Sequence, residues 1–430
     1  MARPMTQTEK ILAAHAGKAE VSPGDIISID LDLVMANELS AAVAITEFRK
    51  IKGATKVWDP SKIALVPSHF TPNKDIATAT LSKMMRDFAT EQHIENYFEV
   101  GRGGIEHVVL PENGMVGPGE TIIGGDSHTT TYGGIGAFAT GVGSTDIAAA
   151  FALGEMWLRV PATTKIVYEG SLRPFVSAKD LILRTIGELG VDGAIYGALE
   201  YTGPVVRDLP ISGRFTMANM AIEAGAKNGI FPVDAVTEAY CAAVGKKNYT
   251  VYSSDRDATY ERTVVIDCSK VEPQVAMPWL PENTRNASEL GEIAIHQAVI
   301  GTCTNGRIED MRQAAEILKG RKVHPSVRAI VIPGSQKVYS QCLKEGLTEI
   351  FIDAGCVVST PTCGPCVGGH MGVLADGERC ISTTNRNFRG RMGHVKSEVY
   401  LTGPYVAAAS AVAGHITSPE LLAAPVKASA

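Results

Sequence analysis

Cys363 and Cys366 stand in the stretch STPTCGPCVGG, separated by Gly364 and Pro365 and followed by Gly368 and Gly369. This spacing lets two thiolates reach one metal centre from a single tight turn. Cys303 lies upstream in IGTCTNGRIEDM, again at the end of an apolar run and in a turn of small residues. Three cysteines in two such turns suggest a metal site left open on one side. Other chemistry fits the same residues. A lone C-x-x-C serves zinc or a redox pair, and Cys356, Cys363, Cys366 and Cys380 could form a four-thiol zinc site, although that spacing matches no common zinc module.

A second reactive stretch is GGDSHTTTYGGIGAFATGVGSTD, where Asp126, Ser127 and His128 directly follow the apolar Thr121–Ile123. It is no dinucleotide fingerprint, because Gly134 and Gly136 are followed by Ala-Phe-Ala. Ser68 and His69 follow Ile63–Val66 and Pro67, so they lie in a loop. His107 sits inside Ile105–Leu110, read as a strand, where a histidine is ordinarily a core residue satisfied by one hydrogen bond. Asn219 and Glu223 lie four residues apart on a helical stretch, 215–226, and therefore on one face of it.

These residues need elements to hold them. Thr6–Ala16 reads as a helix capped by Thr6. Asp25–Leu33 alternates like a strand and runs into a helical stretch ended by Gly53. Ala77–Thr90 is helical. The order strand, loop, helix then repeats: a strand near Thr164, a helix from Ser177 to Leu189, Ile293–Ile300 before Cys303, a helix over Glu309–Leu318, a strand at Val327–Ile332, a helix from Ser335, and Cys356–Val358 before Cys363. This order predicts an α/β protein with parallel sheets and ligands at the carboxyl ends of the strands. The proline-rich, aperiodic Val271–Asn286 reads as a linker.

Composition sets the outer bounds. A chain of 430 residues with 45% hydrophobic residues supports two or three domains with large cores. Aromatics at 6% and 43 glycines favour close backbone turns over an aromatic-rich binding module. A net charge of −6 with no long basic run offers nothing to nucleic acid. No signal-peptide core and no bilayer-length apolar run are present, so no membrane partner is expected. The eight cysteines of a chain without a secretion signal point to a reducing, cytoplasmic setting. Cys241, Cys268, Cys342, Cys356 and Cys380 read as small buried hydrophobes.

GDSHT at Gly125–Thr129, IGTCTNGRIEDM at Ile300–Met311, CGPC at Cys363–Cys366 and TTNRNFRGR at Thr383–Arg391 occur in one order. Together they make the chain resemble the aconitase superfamily of hydro-lyases over essentially its whole length. The resemblance implies three aconitase-like α/β/α domains, 1–162, 163–280 and 281–430, around an iron–sulfur cluster cleft, with the superfamily's swivelling domain absent. It implies that Cys303, Cys363 and Cys366 hold one [4Fe-4S] cluster, leaving a fourth iron to act on substrate as a Lewis acid. It assigns His69 as the acid for the leaving hydroxyl. It makes His107, Asp126, His128 and Glu223 catalytic, with Asn219 and Asn385 in the cluster environment. Asn37 falls where relatives carry a substrate-contacting Gln or His, and Arg386 and Arg391 match carboxylate-binding residues. The implied substrate is a small 2-hydroxy di- or tricarboxylate. The branch resembled isomerises 2-isopropylmalate to 3-isopropylmalate by dehydration and rehydration in leucine biosynthesis. Sister specificities are homoaconitate, citramalate and 2,3-dimethylmalate, and the rival class is a metal-binding regulatory protein without catalysis.

Two departures from the family pattern matter. Relatives commonly carry Asp-His where this chain has Ser68-His69. A serine supports an imidazolium only weakly, so either another carboxylate replaces the Asp, or the acid step is tuned differently, or the substrate differs. The chain also stops at Ala430 without the domain that supplies a serine base and the side-chain-reading arginines. A separate small swivelling-domain subunit is therefore expected, in a heterodimer or heterotetramer.

Overall fold

The computed structural model describes residues 3–291 and 293–422. They divide into two compact units, one of residues 3–171 and 192–268, the other of 172–191 and the described residues from 269 on.

The first unit holds two parallel four-stranded sheets. One has the order Ile63–Leu65, Leu33–Ala36, Thr121–Gly124, Phe138–Gly141. Leu33–Ala36 is buried along its whole length. Val34 and Ala36 join the core on one face of the sheet, and Leu33 and Met35 join the core on the other. Burial on both faces removes the polar alternation that marks a strand. For that reason Val34–Ala36 had read as the start of a helix. The helix begins later, at Glu38–Phe48, capped by Asn37. The strand expected over Asp25–Leu33 also divides. Ile26–Asp30 pairs antiparallel with Glu155–Arg159, and the chain changes sheets at Asp32, whose backbone N–H donates to Thr121 O at 2.9 Å while its Oδ2 accepts from Thr121 N at 2.9 Å. The second sheet has the order Arg262–Asp267, Thr163–Glu169, Ala198–Thr202, Asn228–Ile230.

Other expectations hold or shift in informative ways. Thr6 caps Gln7–His15 in a reciprocal box with Glu9. His107 does not lie in a strand: Glu106–Glu112 is a short helix. All residues from Ile105 to Pro111 are buried, so the apolar run carried no period by which to tell helix from strand. The helix expected over 215–226 ends at Asn219, and Glu223 lies on the 3-10 turn Met220–Ala224 that follows. Glycines of the 124–146 stretch permit close packing. A Cβ at Gly133 would run into the Gly229 carbonyl, and one at Gly134 would meet Phe215.

The second unit is built on a seven-stranded mixed sheet, ordered Thr284–Asn286, Gln274–Ala276, Glu398–Thr402, Arg379–Ser382, Gln297–Gly301, Arg328–Ile332, Val357–Val358. The proposed linker at 271–286 is a correction: it supplies the first two of these strands, which pair antiparallel. Its prolines sit at 273, 278 and 281, outside both short strands, where no ladder hydrogen bond is lost. The five remaining strands run parallel to one another, and Glu398–Thr402 meets Gln274–Ala276 antiparallel.

Candidate active site

In the first unit, three neighbouring parallel strands deliver their carboxyl ends together. Ala36 leads into Asn37 and Glu38, Leu65 into Ser68 and His69, and Gly124 into Asp126 and His128. Glu38, fully buried, organises the middle loop. Its Oε2 accepts from Ser68 N at 2.9 Å, and its Oε1 accepts from His69 N at 2.7 Å and Phe70 N at 2.6 Å. Asn37 serves as helix cap, accepting from Leu39 N and Ser40 N at 3.1 Å each, and donates Nδ2 to Glu106 Oε1 at 3.1 Å.

Asp126 is the hub. Its Oδ1 meets His107 Nε2 at 2.9 Å, accepts from His128 N at 2.8 Å and lies 3.4 Å from His128 Nδ1. Its Oδ2 lies 3.7 Å from His69 Nε2. Burial alone would push this carboxyl up. The hydrogen bonds from His107 and His128, with their charges, overcome that and hold it well below the usual carboxylate range. The chain of contacts continues outward: His107 Nδ1 meets Tyr132 OH at 3.2 Å, and His128 Nε2 meets Glu223 Oε1 at 2.7 Å. Asn219 Nδ2 donates to Thr131 Oγ1 at 2.9 Å on the turn that carries His128. Glu223, only 3% exposed, is thus no ordinary surface carboxylate.

Two carboxylates lie near His69. Ser68 Oγ lies 3.0 Å from His69 Nδ1, with Glu106 Oε1 4.0 Å from the same nitrogen. Asp126 faces the other nitrogen. Ser68→Asp would add a further acid next to the buried Glu38. The expected result is a lower melting temperature, from like-charge crowding worth about 1–3 kcal/mol. The alkaline edge of the pH–rate profile should move by less than about half a unit, since a third acid adds little to His69. A shift of about one unit or more would mean that Glu106 and Asp126 do not act on His69.

In the second unit the strand ends again supply the chemistry. Gln297–Gly301 leads to Cys303, Val357–Val358 to Cys363, and Arg379–Ser382 to Asn385. Cys303, Cys363 and Cys366 are 5%, 5% and 7% exposed, and all eight cysteines are free thiols. Cys363 and Cys366 share one 3-10 turn, flanked by left-handed glycines at Gly364 and Gly368. Before Cys303, Thr302 itself adopts φ 69°, a strained conformation for a β-branched residue. Asn385 ties the turns together. Its Nδ2 donates to Cys303 Sγ at 3.3 Å, and its Oδ1 accepts from Cys366 Sγ at 3.6 Å. Two soft sulfur donors thus flank one amide, with a third thiol on the same turn as Cys366, a donor set that suits an iron–sulfur centre. Arg386 and Arg391 are both half-buried in the loop after Asn385. The other five cysteines behave as expected of core thiols. Burial pushes Cys241 and Cys268 up to about 11, and Cys342, Cys356 and Cys380 up to about 12.

Three residues went unnoticed in the sequence. Glu38 and Glu106 sit next to Asn37 and His107, and that adjacency was the available signal. Lys179 gave none, because a lysine in the first turn of an amphipathic helix reads as solvated. It is instead fully buried.

Comparison with known proteins accords with this geometry. The family model described as the aconitase family (aconitate hydratase) matches residues 9–290 and 282–414. The 3-isopropylmalate dehydratase large subunit of Moorella thermoacetica is 62% identical over 97% of this chain and 99% of its own length. That of Thermodesulfovibrio yellowstonii is 60% identical over the same shares. Among solved structures, aconitase X of Thermococcus kodakaraensis in its holo-form superposes with a TM-score of 0.52 at 12% identity. The match covers 91% of this chain and 92% of that one, a likeness of fold.

Proposed function

The chain belongs to the aconitase family, and on that premise we propose that it is the large subunit of a hydro-lyase that isomerises 2-isopropylmalate to 3-isopropylmalate. The reaction removes water and adds it back with the hydroxyl on the neighbouring carbon, a step of leucine biosynthesis. One observation carries the reading. His107, Asp126, His128 and Glu223 are linked by hydrogen bonds at the carboxyl end of a parallel sheet, the link at His128 running through its backbone N–H and its Nε2. A protein that only binds a metal has no use for such an acid–base chain.

Cys303, Cys363 and Cys366 would hold one [4Fe-4S] cluster per chain, with Asn385 donating to sulfur. When bound, the cluster supplies a Lewis-acidic iron that lowers the barrier to loss of hydroxide. The chain's own residues do the rest. His69 would deliver the proton from Nε2, the nitrogen that Ser68 Oγ does not engage. Asp126, whose carboxyl is held well below the usual carboxylate range, orients His107 and His128 through its Oδ1. Glu223 fixes His128 through Nε2, and Asn219 steadies the same turn. Asn37, Arg386 and Arg391 are assigned to the substrate carboxylates, for which the arginine fork is suited. The relatives are named large subunits, which supports a small swivelling-domain partner in a heterodimer or heterotetramer. We read the three sheets with parallel strands as the cores of three domains. No helix among the described residues is long and apolar enough to cross a membrane, and we assign the enzyme to the cytoplasm.

The test is iron and sulfide analysis of the anaerobically prepared full chain, followed by turnover of 2-isopropylmalate with the small subunit present. Four irons and four sulfides are expected in the native chain, with most of both lost in Cys363→Ser. One equivalent of zinc without sulfide, or full cluster retention in Cys363→Ser, would refute the assignment.

A further inference from the structure

Lys179 lies at the start of the helix Ala178–Leu189 with no exposure to solvent. Its ammonium has three donors, and three acceptors meet them. Nζ donates to Thr383 O at 2.7 Å, to Thr384 O at 2.8 Å and to Asn305 Oδ1 at 3.3 Å. None of the three carries a charge. The nearest carboxylates are engaged elsewhere. Asp180 accepts from Gln274 N, Ser177 N and Ser177 Oγ, each at 2.7 Å. Asp310 accepts from Asn305 Nδ2 at 2.8 Å and Arg307 N at 2.9 Å. Among the described residues, Lys179 makes no ion pair. A buried cation held only by neutral dipoles is costly unless an anion nearby compensates it.

The three acceptors show where that anion belongs. Asn305 follows Cys303 by two residues in the short helix Thr302–Asn305. Thr383 and Thr384 immediately precede Asn385, whose amide touches the sulfurs of Cys303 and Cys366. Thr383 Oγ1 also accepts from Gly301 N at 2.8 Å and donates to Gly301 O at 3.1 Å, next to the Cys303 turn. Lys179 therefore clips together the two backbone turns that set the cysteine–asparagine geometry, without touching a sulfur.

We propose that Lys179 is a positioning residue and internal counter-charge for the iron–sulfur site, joining the Cys303 turn to the Thr383–Asn385 turn. The proposal rests on the cluster reading above. Three thiolates on a [4Fe-4S] core leave net negative charge in a buried place, and a fixed cation stabilises it there. The protonation balance supports this. Burial pushes Lys179 down to about 7, while Asp310, Asp180 and the thiols of Cys303 and Cys366 pull it back up. An anionic centre adds to that pull and keeps the proton on.

The experiment compares the full native chain with Lys179→Met, Lys179→Gln and Lys179→Arg, each loaded anaerobically with ferrous iron and sulfide. Iron and sulfide content, the rate of iron loss to a chelator and the one-electron midpoint potential are read for each. In the Met and Gln variants the reduction equilibrium should move about tenfold toward the oxidised cluster, a midpoint about 59 mV more negative. Iron loss should quicken at least as much, and Lys179→Arg should stay near the native values. Lys179→Gln keeps a donor for the threonine carbonyls, so it reads the charge even if Lys179→Met does not fold. Native potential and native iron loss in Lys179→Gln overturn the proposal, and so does an equal shift in Lys179→Arg. A native chain that takes up no iron and sulfide would instead overturn the cluster reading itself.

Discussion

Asp126→Asn is expected to lower kcat by about a thousandfold while iron and sulfide content stay at the native level. The substitution keeps the shape and removes the charge. The Asp126 carboxylate serves His107 Nε2 at 2.9 Å and His128 N at 2.8 Å, and lies 3.7 Å from His69 Nε2. An amide oxygen can still accept from one or two of these donors. Its NH2 group must then face an imidazole where an acceptor stood, and the negative charge between the rings is gone. General acid–base catalysis contributes about 10²–10⁴-fold in enzymes, and this single change disturbs several imidazoles together. The pH dependence has a definite sign. A carboxyl depressed in the folded state contributes stability that is present above its unfolded pKa of about 3.9 and is lost as pH falls through the lower folded value. The native chain should therefore exceed Asp126→Asn in urea midpoint by a constant margin above about pH 5, and the margin should shrink in acid. A drop in kcat of less than about tenfold would remove Asp126 from the centre of the chemistry.

Glu106→Gln is expected to slow turnover by about 10- to 100-fold, with the melting temperature changed by only a few degrees. Glu106 is fully buried. Its Oε1 accepts from Asn37 Nδ2 at 3.1 Å and lies 4.0 Å from His69 Nδ1 and 3.8 Å from His107 Nε2. Among the described residues its Oε2 has no hydrogen-bond partner. Such a charge serves the fold poorly, yet it faces two imidazoles. A glutamine keeps the bond from Asn37 and loses the field on both rings. Losing one charge-assisted interaction of this kind costs about 1.5–3 kcal/mol, which sets the expected range. Stability should barely move, because relief of the buried charge and the unpaired amide that replaces it are of similar size. Melting curves and steady-state kinetics of the assembled enzyme check both halves. A large loss of stability with a native kcat would make Glu106 a structural residue only.

How far the sequence could be read follows from these same residues. Ser68-His69, Asp126-Ser127-His128 and the cysteine turns were legible because polar, small-residue stretches directly followed apolar runs. A parallel sheet puts such stretches at one end. Glu38 and Glu106 were not, because a buried acid beside a helix start looks like any first-turn carboxylate. Lys179 was hidden for the matching reason at the next level. Its acceptors come from residues more than a hundred positions away, as the separations of 126, 204 and 205 residues show. The helix at Glu106–Glu112 and the strand Leu33–Ala36 were misread in opposite directions for one cause. Both are buried on every side, and the periodicity that separates helix from strand exists only where one face meets water.

The grip of Glu38 on three successive amides bears on the thermodynamics of ligand capture. Ordering a backbone residue costs about 1–2 kcal/mol at room temperature. In the loop Ser68–Phe70 that ordering is completed when the chain folds, by a carboxylate that belongs to the neighbouring helix. Association with a small hydroxy acid then requires no freezing of this segment, and the entropy of the encounter is confined to the ligand and to whatever else must close upon it. In the role proposed above, His69 would be a preorganised donor.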